Sequence, residues 1–213
     1  MLKIYGFELS MPANRVRMAV NAMGLEHEYI RVDLSKGEQK SPEHMRLHPA
    51  GKVPAMDDDG FALFESGAIL RYLCRKSGSD YYPAEPQGQA LADQWGDFAV
   101  LHVQAPMSRV LFNKIIAPRV GLEVDERSMQ TGYEFLEQSL PVAEAQLGKA
   151  DYLAGGRMTI ADFCLLAAVD PADAIGLDLG QYRRLAAWRK ALVSQAFYRD
   201  VHAFFGAGML ERQ

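Results

Sequence analysis

Cysteine and tryptophan are scarce in this chain, which has two of each among 213 residues. Cys74 and Cys164 lie far apart, and each is inside an apolar stretch with a helical pattern. Two separated thiols are too few for a disulfide framework or for a zinc site. We therefore predict that both are buried free thiols and that the protein holds no metal ion. The five histidines are predicted to be surface or packing residues.

The chain also lacks an excess of positive charge and any long apolar run. Its formal net charge is −4, which argues against a nucleic-acid partner that requires a basic surface. A small anionic ligand remains compatible with this charge, because basic side chains can cluster locally in an acidic protein. No segment approaches the roughly 18 apolar residues of a membrane-spanning helix. Residues 1–6 read as a strand rather than as a signal peptide, so we expect a cytoplasmic protein with no membrane partner.

The first third of the sequence contains alternating strand and helix patterns. Apolar or alternating runs predict strands at residues 2–5, 28–34, 53–56 and 61–64. Spacings of three and four between apolar residues predict helices at 13–23 and 66–75. The Asp59-Gly60 pair between the last two strands is a strong signal for a hairpin. Together these patterns predict a four-stranded mixed sheet with helices on its faces.

The remainder of the chain shows helical patterns and no convincing strand. Glycines and prolines break the pattern between residues 77 and 89, so residues 79–89 are predicted to be a linker between domains at 1–78 and 90–213. Helices are predicted at 90–116, 125–147, 159–169, 182–192 and 196–205. Pro106 should kink the first of them. The third is apolar nearly all round and should form the buried centre of the bundle. Thr159 and Asp162 before it match a capping box, which indicates a role in folding.

Four segments, in this order and spacing, resemble the cytosolic glutathione transferase family. They are residues 10–16 (SMPANRV), 36–43 (KGEQKSPE), 49–55 (PAGKVPA) and 64–73 (FESGAILRYL). The helical half is similar more loosely, mainly through residues 159–162 and Trp188. The position of the serine in the first segment is most similar to the phi class and its theta-like bacterial relatives. The resemblance implies an α+β thioredoxin-like N-terminal domain that binds glutathione, an all-α C-terminal bundle, and a homodimer.

Ser10 is the catalytic residue that the resemblance implies. It stands between the first strand and the first helix, where a hydroxyl can cap the helix and an anion meets the positive end of the helix dipole. In the family, a serine here donates a hydrogen bond to the glutathione sulfur and favours the thiolate. Met11 and Asn14 are close enough in sequence to reach the sulfur instead, and a simple N-cap role for Ser10 is the plainer alternative.

The resemblance also implies contacts to the rest of the tripeptide. A cis peptide bond at Val53-Pro54 would present the backbone of Val53 to the ligand as an added strand. Ser66, predicted as the N-cap of the helix that follows it, would hold the α-carboxylate of the γ-glutamyl arm, and Glu65 would pair with its ammonium group. The glycyl carboxylate would be held by Gln39, Lys40 and Lys52, with the two lysines favoured over the glutamine because they carry charge.

The second substrate is expected across a cleft, against the helical domain. The residues predicted to line its pocket are apolar: Met11, Met107, Leu111, Phe112 and Ile115, with Phe204, Phe205 and Met209 near the C-terminus. Such side chains imply a small hydrophobic electrophile and identify none in particular.

Three functions can be compared with these residues. The first is transfer of glutathione to an electrophilic carbon; a glutathione-dependent isomerase or dehalogenase would use the same site. The second is a non-catalytic binding or regulatory protein that keeps the fold. The intact set of Ser10, Val53-Pro54 and Glu65-Ser66 argues against it. The third is a thiol-disulfide enzyme, which is disfavoured because it needs a cysteine where this chain has Ser10-Met11-Pro12-Ala13.

Overall fold

A computed structural model of the chain describes residues 1–201. Its N-terminal part contains strands β1 (Leu2–Gly6), β2 (Glu28–Arg31), β3 (Ala55–Asp58) and β4 (Phe61–Phe64). The helices of this part are α1 (Met11–Ala22), α2 (Pro42–Leu47) and α3 (Ser66–Ser77), and two 3₁₀ turns at Leu34–Lys36 and Glu38–Lys40 precede α2. The strand order is β2-β1-β3-β4, with β1 parallel to β2 and the other neighbours antiparallel. The mixed sheet predicted from the sequence is confirmed.

The predicted hairpin is confirmed at Asp59-Gly60, which joins β3 and β4 with both residues at positive φ (50° and 92°). That conformation suits a two-residue turn between twisted antiparallel strands. Two strand boundaries differ from the prediction. Strand β3 begins two residues later, at Ala55, and β2 ends at Arg31, which pairs with Gly6, the last residue of β1.

Helices alone follow in the described part of the C-terminal half. A long helical rod contains α4 (Pro86–Phe98), α5 (Ala105–Leu111) and α6 (Ala117–Arg119), joined by π-helical stretches at Ala99–Gln104 and Phe112–Ile116. The rod begins inside the predicted linker, since Pro86 suits the first turn of a helix, where no N–H bond is lost. The first π-helical stretch ends just before Pro106, whose missing N–H disturbs the regular hydrogen-bond pattern.

The remaining helices are α7 (Glu126–Leu147), α8 (Ile160–Val169), α9 (Arg183–Val193) and α10 (Ala196–Arg199). Every residue of α8 is buried, as predicted, and the capping box of Thr159 and Asp162 is present at its start. The main hydrophobic core runs from the sheet and α1 through α8 to α7, so the two halves of the chain share one core. This packing fixes the start of α1 and the start of α3 against the helical part. The predicted helix at 196–205 extends beyond the described residues.

Candidate active site

The start of α1 carries the residue predicted to be catalytic. Ser10 is the N-cap: its Oγ accepts a hydrogen bond from Ala13 N–H at 3.3 Å, and it is half-buried. No residue of the described range 1–201 accepts the proton of its hydroxyl. The cap therefore uses the oxygen as an acceptor and leaves the O–H free to donate to a ligand next to the N–H groups of the helix.

The two alternatives to Ser10 are less accessible than the serine. Met11 is 4% exposed and belongs to the hydrophobic core. Asn14 is fully buried, and its side-chain N–H₂ donates to the carbonyl of Glu8 at 2.7 Å. That bond holds the loop between β1 and α1 in shape. Asn14 therefore supports the loop in which Ser10 sits, whereas Ser10 is the one of the three with both exposure and a free donor.

The second part of the site is the turn before β3. The Val53-Pro54 peptide bond is cis, as the resemblance implied. Val53 packs with Ala13 in a small hydrophobic cluster, so this turn lies against the first turn of α1, close to Ser10. The backbone N–H and carbonyl of Val53 form no hydrogen bond with another described residue, because the ladder between β1 and β3 ends at Ala55. Both groups are open to an extended ligand.

The third part is the start of α3, where one expectation is corrected. Ser66 is the first residue of the helix, and Glu65 before it is the N-cap. The reason lies in the backbone of Glu65, whose φ of 69° and ψ of 111° are not helical. A positive φ strains a residue with a side chain, and such strain is common at ligand clamps. Ser66 is buried, Glu65 is exposed, and the N–H groups of the first turn remain uncapped by the Glu65 side chain.

A basic cluster lies beside the cis-proline turn. The Lys40 ammonium donates to the carbonyl of Ala50 at 3.2 Å, and the side chain passes so close to Gly51 that a Cβ there would lie 2.8 Å from its Nζ. Gly51 also has a φ of 58°, so glycine is required on both counts. Lys40 and Lys52 are exposed, and Gln39 is half-buried with an unpaired Oε1. The structure thus brings together all three residues predicted for the glycyl carboxylate.

A histidine that was expected only to pack has a definite contact in this region. The Nε2 of His44, on α2, lies 2.7 Å from the carbonyl of Lys52 and fixes the residue before Val53. His44 and His48 stand four residues apart, a spacing shared by two metal ligands on one helix. Their rings, however, are stacked with centroids 6.4 Å apart, and burial lowers the pKa of His48. Among residues 1–201, no three His, Cys, Asp or Glu side chains are grouped to hold a metal ion.

The residues predicted to contact the second substrate fall into two groups. Met11 on α1 is 4% exposed and is a core side chain rather than pocket wall. The same holds on α5 for Met107, which is fully buried, and Leu111, which is 3% exposed. Both side chains of this helix belong to the main hydrophobic core, because α5 packs against α7. Phe112 is 42% exposed and Ile115 is half-buried, so these two can face a ligand. Phe204, Phe205 and Met209 lie outside the described residues.

Arg15 is a feature of the site that the sequence prediction missed. It lines a cavity of about 260 Å³ between the start of α3 and helices α4 and α8, together with Glu65, Ser66 and Arg71. The sequence does contain a signal for it. Arg15 follows Met11 by four residues and precedes Met18 by three, so it stands on the apolar face of α1. A charged residue on a buried face needs a polar or oppositely charged partner, because an unpaired buried charge is costly.

Comparison with known proteins identifies the family. The model of the glutathione S-transferase N-terminal domain matches residues 1–75, and that of the C-terminal domain matches residues 103–196. Glutathione S-transferase F10 of Arabidopsis thaliana is 32% identical over 209 residues, which are 95% of this chain and 96% of that protein. The chain belongs to the glutathione S-transferase family.

Solved glutathione S-transferase structures are also similar to this chain. Glutathione S-transferase I from maize in complex with an atrazine glutathione conjugate has a TM-score of 0.85 and 30% identity, covering 94% of this chain and 95% of that one. A glutathione S-transferase from Pseudomonas fluorescens has a TM-score of 0.82 at 30% identity, covering 92% and 96%. The thioredoxin-like domain followed by a helical domain is therefore the fold of this family. No helix within residues 1–201 combines the length and apolarity needed to cross a membrane.

Proposed function

We propose that the protein is a glutathione transferase that uses Ser10 to stabilise the glutathione thiolate and conjugates it to an apolar electrophile. The single observation that carries this proposal is the free O–H of Ser10 at the start of α1, beside the open backbone of Val53. A relative with a similar fold is described in complex with a glutathione conjugate, which supports glutathione as the co-substrate.

The energetics of thiol activation are within reach of these groups. A free thiol has a pKa of about 8.5, so only a few per cent is ionised at neutral pH. Lowering that pKa by about two units requires roughly 2.7 kcal/mol of preference for the thiolate. One hydrogen bond to a charged group contributes about 1.5–3 kcal/mol, and the helix dipole contributes about 0.3–1 kcal/mol. Ser10 and the N-terminus of α1 together supply both contributions.

The tripeptide would lie along the edge formed by Val53 and pair with its unbonded N–H and carbonyl. Its γ-glutamyl end would reach Glu65 and Ser66 at the start of α3, and its glycyl carboxylate would reach Lys40, Lys52 and Gln39. The site would offer charged groups to the charged groups at both ends of the ligand, and an unpaired strand edge to its middle. This combination favours glutathione over an arbitrary thiol. Binding would also hold the sulfur next to the electrophile, which supplies the proximity contribution to catalysis.

The electrophile would lie across the cleft from Ser10, against Phe112 and Ile115. These exposed or half-buried apolar side chains suit a small hydrophobic molecule. In the reaction the thiolate sulfur forms a bond to an electrophilic carbon, and the leaving group departs with the electron pair of the bond that breaks. Residues 1–78 would bind glutathione and residues 90–213 would contribute most of the second pocket.

We further propose a serine-type, phi-like enzyme that acts in the cytoplasm as a homodimer. Support for the dimer comes from apolar side chains that are exposed on the edge strand β4 and on the long helical rod. Phe61 and Phe64 are 50% and 40% exposed, and Leu91 and Leu101 are 43% and 64% exposed. A second copy that covered these side chains would remove them from water. Sedimentation at several concentrations measures whether the dimer forms.

The test of the function is binding to immobilised glutathione followed by turnover with a chloronitrobenzene. We expect Ser10→Ala to lower kcat/KM about 10- to 100-fold, as the loss of a hydrogen bond of about 1.5–3 kcal/mol implies, and to raise the pKa of the bound thiol measured by its thiolate absorbance. Asp125→Ala is the matched control, because its side chain caps α7 through Ser128 N–H, and α7 carries none of the residues proposed to contact glutathione. It should retain activity. Full activity in the serine variant would contradict the role of Ser10.

A further inference from the structure

Asn113 is a buried amide in the π-helical stretch Phe112–Ile116, and it is bonded to both neighbouring helices. Its Nδ2 donates to the carbonyl of Arg109 in α5 at 2.9 Å, and its Oδ1 accepts from the N–H of Asp125, the N-cap of α7, at 2.9 Å. Buried amides are normally hydrogen-bonded, and the loss of a partner is costly. The side chain therefore ties the stretch to the end of α5 and to the start of α7.

Lys114 fastens the next residue of the stretch to the segment after α8. Its Nζ donates to the carbonyl of Ile175 at 2.6 Å and to the hydroxyl of Tyr133, on α7, at 3.1 Å. The Tyr133 hydroxyl donates to the same carbonyl at 2.9 Å. Two consecutive residues, Asn113 and Lys114, thus hold the stretch to the rest of the helical part, and we call them the two anchors.

The apolar pair Phe112 and Ile115 lies on the opposite side of the rod from the two anchors. Because a helix advances about 100° per residue, the first and the last of four consecutive residues lie opposite the middle two. A cavity of about 260 Å³ is lined by both anchors and by Met129 and Tyr133 of α7. Phe112 and Ile115 are not among the described residues that line it; Phe112 is exposed and Ile115 is half-buried. The bonds of the anchors therefore fix the direction in which the apolar pair faces.

We propose that Asn113 and Lys114 are positioning residues that set the selectivity for the electrophile, because they hold Phe112 and Ile115 in place on the wall of its pocket. The inference rests on the proposed function, in which the electrophile lies against this apolar pair. Neither anchor needs to contact the substrate. A wall held in one arrangement favours the apolar group that fits it, whereas a wall that can shift discriminates less between such groups.

The first arm of the test varies the ligand. S-Methylglutathione and S-hexylglutathione contain the same tripeptide and differ in the length of the apolar tail on the sulfur. We expect calorimetry to show that the wild-type protein binds the hexyl compound about tenfold or more tightly, because its tail is buried against the apolar pair. Equal affinities would overturn the inference while leaving the proposed function intact. Binding of neither compound would overturn the proposed function, and the inference with it.

The second arm varies the first anchor. Asn113→Ala should weaken the binding of S-hexylglutathione about fivefold and leave the affinity for S-methylglutathione unchanged, because the anchor acts on the wall and not on the tripeptide site. Gln146→Ala is the matched control: on α7, the Gln146 amide also donates to a backbone carbonyl, that of Leu153 at 2.7 Å, and its removal should change neither affinity. Equal weakening of both compounds by Asn113→Ala would show a general structural role and overturn the proposal, as would an unchanged preference for the hexyl tail.

A double-mutant cycle measures whether the anchor acts through the apolar pair. Phe112→Ala should itself lower the preference for the hexyl tail, since it removes part of the wall. Adding Asn113→Ala to this variant should then lower the preference by clearly less than fivefold, because the side chain that the anchor positions is already gone. Full additivity of the two changes would contradict the proposal.

If Asn113→Ala does not fold, the exposed side chain of Lys114 keeps the proposal testable. Lys114→Met removes both bonds of the ammonium group and should lower the preference for the hexyl tail about threefold. Lys114→Arg keeps a donor for the Ile175 carbonyl and should retain most of the preference. Lys190→Met, at an exposed lysine of α9, is the matched control and should leave the preference unchanged. An unchanged preference in Lys114→Met would overturn the proposal.

Discussion

The structure predicts a large effect on stability at Asp162. This carboxylate is fully buried, and its two oxygens accept from four donors: Leu153 N–H at 3.1 Å, Thr159 N–H at 2.8 Å, the Thr159 hydroxyl at 3.4 Å and the Trp188 indole N–H at 3.2 Å. It therefore joins the start of α8 to α9 and to the loop before α8. Asp162→Ala would remove all four acceptor contacts.

Two opposing contributions decide the magnitude. Three buried N–H donors left without an acceptor cost about 1–3 kcal/mol each. Against this, burial raises the pKa of Asp162 from 3.8 to about 6, so keeping it ionised at pH 7 costs the wild type about 3 kcal/mol that the variant does not bear. The difference favours the wild type, and we expect Asp162→Ala to lower the free energy of unfolding by about 3 kcal/mol.

Urea unfolding at pH 7, followed by both far-ultraviolet circular dichroism and tryptophan fluorescence, measures this loss. Coincident transitions from the two probes are needed before a single free energy is assigned. Thr159→Ala is the matched control, because it removes a hydroxyl from the same capping box and leaves the carboxylate contacts to Leu153 and Trp188 in place. It should cost about 1 kcal/mol. A loss below about 1 kcal/mol in Asp162→Ala would refute the reasoning.

Two further predictions concern pH and substrate binding. The folded pKa of Asp162 is raised to about 6, so its contribution to stability is complete below 3.8 and is lost as pH rises through 6. The wild type should therefore gain about 1.4 kcal/mol relative to Asp162→Asn between pH 7 and pH 5, and a constant difference in unfolding free energy would contradict this. His44→Ala removes the contact to the Lys52 carbonyl and should raise KM for glutathione about fivefold with kcat unchanged, since it disturbs binding and not the thiolate. His102→Ala, in the helical part, is its control, and an unchanged KM in His44→Ala would exclude the positioning role.

Much of the fold could be predicted because the local signals agree with the tertiary packing. The Asp59-Gly60 pair suits a turn in which both residues have positive φ, and that turn is present. The Thr159 and Asp162 pattern predicts a helix start, and its apolar continuation predicts the buried helix α8. In each case the residues that favour the local backbone conformation also fit the tertiary surroundings in which they lie.

The remaining features depend on contacts that sequence periodicity does not contain. A positive φ at Glu65 makes this residue the N-cap in place of Ser66, although a glutamate does not favour that conformation. Met107 and Leu111 are buried where a pocket was predicted, because α5 packs against α7 and an apolar side chain reads the same in the sequence on a core face and on a pocket wall. The cis bond before Pro54 was expected only through the resemblance, because most X-Pro bonds are trans.

The π-helical stretch at Phe112–Ile116 also has a consequence for how new specificities can arise in this chain. A wide turn of this kind holds an extra residue in a rod that otherwise advances about 100° per residue. Deleting one residue there would restore the ordinary helix and leave the rod before and after the stretch in nearly its present orientation, because the wide turn absorbs the extra residue. A single-codon deletion would therefore change which side chains of residues 112–116 stand on each face of the rod and leave α5 in place, a larger local change than most point mutations cause.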